Sequence, residues 1–301
     1  LYRNNVNGTF TDVTVAAGIV DTAQGADAIW GDFNNDSWPD LYVVGLTGIN
    51  HLFQNKQDGT FMDISVVSGT NDTLGSARAA AVADFDNDGR PDIFVAQAFD
   101  GRTDSQIDFL FHNDGGSPPV FSDKTFDAGV DDGLNGLSAA FGDYTSSGAE
   151  DIFVGNSGSG NDVLWQNQAN RNDSLVVQLV GVISNRLGIG ARVSVTADLD
   201  GTGPMAPVTQ TKEMIGGSKS QNPVELHFGL GRERGERPGG RAHRRLADEC
   251  ADADIPGRAG TEPALDNLRR RTWHRCHACY TELGAGSRRH DGGHHGDELR
   301  A

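Results

Sequence analysis

One segment returns along the chain at nearly even spacing, and this repeat limits the possible architectures more than any other feature. LYRNNVNGTFTDVTVAAGI (1–19) recurs as LFQNKQDGTFMDISVVSGT (52–70) and as LFHNDGGSPPVFSDKTFDAGV (110–130), with a last start at LWQNQ (164–168); the starts lie 51, 58 and 54 residues apart. A unit of this size that repeats buries its faces against copies of itself, as in propellers and solenoids. Short β-branched and aromatic runs (LYVVG, DIFVAQ, DIFVGN) are bounded by Asn, Asp and Gly, the pattern of strands joined by hairpins. The Asn-x-x-x-Gly-Thr-Phe element, Asn4 to Phe10 and again Asn55 to Phe61, reads as a hairpin whose glycine supplies a positive φ. Four short strands per unit match a propeller blade, with a β-sandwich as the alternative. The expected class is all-β: a partial β-propeller of about three blades, a small C-terminal β domain and a disordered tail.

Each unit passes through a Gly/Ala-rich run into an acidic loop, and these loops carry the chemistry. Asp84, Asp86, Asp88 and Asp92 stand at positions 1, 3, 5 and 9 of DFDNDGRPD, with the Arg90 carbonyl at position 7. Oxygen ligands converging in a tight turn suit a hard cation such as Ca²⁺, and four crowded carboxylates need a counter-charge. Gly89 allows the sharp turn between ligands. An EF-hand would need Glu at position 12, where Val95 stands, so the loop is expected to join two strands. The first copy offers Asp32, Asn34, Asp36, the Trp38 carbonyl and Asp40, with Ser37 in place of the turn glycine, and is expected to bind more weakly. The third keeps Asp143 and Asp151 but has Thr145 and Ser147 between them, so it is expected to hold its turn by hydrogen bonds and stay empty.

Charge divides the chain. The whole carries a net charge of −17, which argues against nucleic acid or an anionic membrane as partner. Residues 1–231 hold 11 basic and 30 acidic residues, whereas 232–301 hold 14 arginines, no lysine, 12 acidic residues, six of the nine histidines and all three cysteines. No apolar run approaches the roughly 18 residues that span a bilayer.

Nothing before residue 232 assembles a nucleophile with its base. His51, His112 and His227 are the histidines there; His112 fills the slot of Arg3, Gln54 and Gln166 and reads as a variable surface position, His227 as a packed strand residue. Acidic pairs repeated in every unit fit structural ions better than a single glycosidase site. The chain is therefore read as non-enzymatic.

The run D-F-D-N-D-G-R-P-D-I-F-V (84–95), preceded by a small-residue strand and followed by L-F-x-N, resembles the FG-GAP/VCBS repeat, the blade of integrin-α-type propellers, over residues 1–167. NDSLVVQLVGVISNRLGIGARVSV (172–195), SQNPVELHF (220–228) and GLG (229–231) resemble the ASPIC/UnbV domain, giving a second unit over 168–231. Module pairing and order are similar to the cartilage-acidic-protein-like family. The resemblance implies an extracellular or periplasmic, calcium-binding module for adhesion or recognition of a protein or carbohydrate ligand. An accessory domain of a secreted polysaccharide-active enzyme is the alternative. Leu1 falls inside a blade, so the chain reads as truncated at its N-terminus, and uncovered sheet edges are expected to drive association.

Residues 232–301 read as the product of a shifted reading frame. Leu246 to Asp254, read one nucleotide later, can encode W-P-T-S-A-Q-T-L-T, the kind of ending the ASPIC/UnbV resemblance implies. On that reading Cys276, His277 and Cys279, with His274 beside them, form no zinc site, since a structural zinc needs four ligands in two separated pairs.

Overall fold

The computed structural model describes residues 1–20, 24–47, 49–72, 76–98, 107–158, 161–168, 172–180, 186–199, 207–214 and 224–231, together with the strand at 252–254. The first hairpin, Tyr2–Asn4 (β1) with Phe10–Asp12 (β2), pairs Asn4 with Phe10 around Gly8 at φ 86°. A four-stranded antiparallel sheet follows in sequence order: Gly25–Gly31 (β3), Asp40–Gly45 (β4), His51–Asn55 (β5) and Phe61–Asp63 (β6). After a single helical turn, Ser65–Ser68 (α1), the pattern repeats as Ala77–Ala83 (β7), Asp92–Gln97 (β8), Phe109–Gly115 (β9) and Val120–Asp123 (β10). A second turn, Thr125–Ala128 (α2), leads into Gly136–Gly142 (β11), Asp151–Asn156 (β12) and Val163–Trp165 (β13).

The sheets stack face to face, as consecutive blades do. Phe33, Tyr42, Val44 and Leu52 of the first sheet meet Ile93, Val95 and Phe111 of the second. Phe94 and Leu110 on the second sheet's other face meet Phe141, Ile152 and Val154 of the third. The alanines of β7 enter both interfaces, and their small side chains let the sheets approach. Each large apolar side chain buried in this way stabilises by about 1.5–3 kcal/mol.

All-β architecture is thus present. The repeat begins inside a sheet, because the L-F-x-N segment forms the third strand (β5, β9, β13). Single helical turns follow the fourth strand within DISVVSG and DKTFDAG. Asp63 Oδ1 accepts the Ser65 amide at 3.0 Å and Asp123 Oδ1 the Thr125 amide at 2.9 Å, and Gly69 and Gly129 close the turns in the left-handed region.

The second unit pairs Asp173–Val177 (β14) with the later strand Leu226–Gly231 (β17) and sets Arg192–Ala197 (β15) against Val208–Glu213 (β16). Leu175, Val193, Val195, Met214 and Phe228 fill its core. Of the tail, Asp252–Asp254 (β18) lies antiparallel to β15, with Val193 opposite Ala253. Cys276, Cys279, His274 and the rest of 232–301 lie outside the described residues. Among the described residues no helix is long and apolar enough to cross a membrane.

Candidate metal centre

The three acidic loops join β3 to β4, β7 to β8 and β11 to β12, so all three lie at the same end of their sheets. Their backbones share one device. The position 1 carboxylate accepts two amides from across the turn: Asp32 from Asp36 and Ser37 (both 2.9 Å), Asp84 from Asp88 (3.0 Å) and Gly89 (2.8 Å), Asp143 from Ser147 and Gly148 (both 2.8 Å). Two left-handed residues in each loop make this geometry possible: Asn35 and Ser37, Asn87 and Gly89, Ser146 and Gly148. Ser37 stands at φ 68°, where a non-glycine residue costs on the order of 1 kcal/mol.

The position 9 carboxylate ties the loop to the next strand. Asp92 accepts the Phe85 amide at 3.1 Å and the Asn113 amide at 2.7 Å; Asp40 does the same with Phe33 and Asn55, and Asp151 with Tyr144 and Asn167. The L-F-x-N asparagine then reaches the preceding sheet: Asn113 Nδ2 donates to the Phe33 carbonyl at 2.8 Å and Asn167 Nδ2 to that of Phe85 at 2.7 Å.

On this common frame only the second loop, among the described residues, gathers three acidic groups. Ligand oxygens of Asp84, Asp86 and Asp92 lie within 4.8 Å of one another. Asp84 is 1% exposed and Asp92 fully buried. Burial pushes the Asp84 carboxyl up to about 7 and the Asp92 carboxyl well above its ordinary range, with neighbouring carboxylates adding to both. Converging, desolvated carboxylates held by their own backbone are a donor set that fits a hard divalent cation. Asp88 faces the adjacent group Asp86–Asp88–His112 and pairs with the Arg90 guanidinium, which also donates from Nε to the Asn113 carbonyl at 2.8 Å.

The first loop is less gathered: Asp32, Asp36 and Asp40 do not converge to that distance. Asp36 is engaged instead by the amides of Asn34 (2.9 Å) and Gln57 (3.1 Å), while the Trp38 amide donates to it at 2.8 Å. Burial raises Asp32 to about 6 and Asp40 to about 7. In the third loop Thr145 and Ser147 hydroxyls lie 3.4 Å from Asp143 Oδ1.

His112 is the residue the sequence misplaces. It is half-buried, with Nε2 3.2 Å from Asp86 Oδ2 and Nδ1 2.9 Å from Asp114 Oδ1. Its carboxylate partners Asp86 and Asp88 push it up to about 11. His227 is buried on β17, with Nδ1 3.4 Å from Glu150 Oε2.

The fold and the loops place the chain among proteins built from acidic-loop β repeats, and sequence comparison agrees. Residues 32–95 match the FG-GAP-like repeat and residues 181–237 match the ASPIC and UnbV family. The chain is 43% identical over 63 residues to cartilage acidic protein 1 of Xenopus tropicalis, and 35% identical over 82 residues to that of Homo sapiens. These stretches cover 21% and 27% of this chain but only 10% and 12% of the relatives. The chain thus carries an FG-GAP-like repeat followed by an ASPIC/UnbV domain, with distant similarity to cartilage acidic protein 1.

Proposed function

We propose that the chain is a calcium-binding, non-enzymatic recognition module of the extracellular or periplasmic space, organised as propeller blades over 1–167 and a β domain over 168–231. The convergence of Asp84, Asp86 and Asp92 carries the calcium reading. Asp88 and the Arg90 carbonyl complete the second site, and Asp32, Asn34, Asp36, Asp40 and the Trp38 carbonyl form a weaker first one. The same carboxylates accept backbone amides in every loop, which supports a structural rather than a catalytic use. Millimolar calcium outside the cell would fill loops of modest affinity. Recognition of a protein or carbohydrate falls to the opposite end of the sheets, where β4 and β8 end and β5 and β9 begin. Thermal melting with and without calcium tests the cation reading: a rise in Tm with calcium that is lost in Asp84→Asn supports it, and an unchanged Tm opposes it. Binding screens against extracellular matrix proteins and glycans, repeated on variants of residues 46–49, test the recognition reading.

A further inference from the structure

The second unit sits on the cation loops. The Gly231 amide donates to the Asn87 carbonyl at 2.8 Å and Asn172 Nδ2 to the Asp86 carbonyl at 2.8 Å. Ser174 Oγ donates to the Gly148 carbonyl at 2.7 Å, and the Arg192 guanidinium to the Ser37 carbonyl at 2.5 Å. A Cβ on Gly229 would stand 2.0 Å from Asp84 Oδ2 and 2.6 Å from the Asn87 backbone, so β17 can lie here only with glycine at that position. All three loops therefore give main-chain carbonyls to the second unit, and in the second loop the carboxylates also gather around the cation position.

We propose that cation binding and the docking of the second unit are thermodynamically linked, each strengthening the other. The proposal rests on the calcium reading above and adds a partner surface to that site. A cation that draws Asp84, Asp86 and Asp92 together fixes the loop backbone, and the same backbone fixes the carbonyls to which Gly231 and Asn172 bind and, through Asn87, the Gly148 carbonyl to which Ser174 binds. Whichever event occurs first removes conformational freedom that the other would otherwise have to remove. Linkage makes the effect reciprocal, so loosening the dock must weaken the cation. Positive charge on the second unit runs the other way: Lys212, bonded to the His227 carbonyl at 2.5 Å, and His227 itself both act on Asp84.

Titration calorimetry with calcium on the full chain, on Gly229→Val and on the double variant Ser174→Ala/Arg192→Gln decides the matter. The double variant removes docking bonds without a steric insertion, so it keeps the test open should Gly229→Val fail to fold. Calcium affinity is expected to fall about fivefold or more in the double variant, which is the deciding case because Gly229→Val also displaces the Asp84 carboxylate itself. Amide exchange over 226–231 is expected to slow when calcium is added to the unaltered chain. Unaltered affinity in the double variant overturns the linkage and leaves the calcium reading intact. Absence of calcium heat in the unaltered chain overturns the calcium reading, and the linkage with it.

Discussion

The side-chain amide of Asn87 donates to the Gly148 carbonyl at 2.8 Å, fastening the acidic loop of one sheet to that of the next. Asn35 makes the same bond to Gly89 at 3.0 Å, so the loops form a ladder running across the stack. The cation site is therefore built on a hydrogen-bonded edge that continues through the third loop, where the middle carboxylates are missing.

Asn87 is buried and left-handed at φ 58°, so alanine there loses a bond and meets backbone strain together. Asn87→Ala is expected to lower unfolding free energy by about 2–4 kcal/mol. Asn87→Gly, which relieves the strain, is expected to recover about 1 kcal/mol of it. Urea denaturation of both variants checks the order; equal stability of the two would remove the strain component.

Asp92 and Asp151 hold equivalent pairs of amides, but only Asp92 belongs to the gathered acidic group. Without calcium, Asp92→Ala and Asp151→Ala are both expected to destabilise, by about 1–3 kcal/mol for each buried amide left unpaired. With calcium, Asp92→Ala is expected to lose the additional ion-dependent gain while Asp151→Ala keeps it. Chemical denaturation in EDTA and in calcium measures the difference, and an identical calcium response in the two variants would detach the ion from the second loop.

The loop spacing and the class of fold are legible in the sequence because they are local. Carboxylates at alternate positions ending in Pro-Asp announce a turn that collects oxygens, and Gly8 and Gly59 announce their hairpins. His112 is not legible, since its slot holds Arg3, Gln54 and Gln166 elsewhere, and only the pairing of β8 with β9 brings it to Asp86. Asn35 and Asn87 look like spacers between acids until neighbouring sheets stack. Ser65–Ser68 becomes a helical turn although Val66 and Val67 favour strand, because Asp63 holds the Ser65 amide at its start and Gly69 closes it in the left-handed region.

Asp108 carries a pH dependence separate from the cation loops. Its Oδ1 accepts the Gln97 amide at 2.8 Å, while its buried Oδ2 has no hydrogen-bond partner, and burial with Asp132 nearby raises its carboxyl to about 8. A carboxyl with a raised folded-state pKa contributes stability that is full below about 4 and is lost as pH rises through about 8. Asn50 fills the same place in the first sheet, its Oδ1 accepting the Gly45 amide at 2.9 Å. Asp108→Asn is therefore expected to match or exceed the unaltered chain at pH 8 and to flatten its stability profile between pH 4 and 8. Denaturation across that range checks this, and parallel profiles would contradict it.

Calcium titration of the unaltered chain beside Asp86→Asn is the most direct measurement. Asp86 belongs to the gathered acidic group, accepts the Asp88 amide and faces His112, and asparagine keeps its shape while removing one ligand charge. Saturable heat together with a rise in Tm, both largely abolished in Asp86→Asn, is the expected result. No heat and no thermal shift in the unaltered chain, or heat that Asp86→Asn leaves untouched, would contradict it.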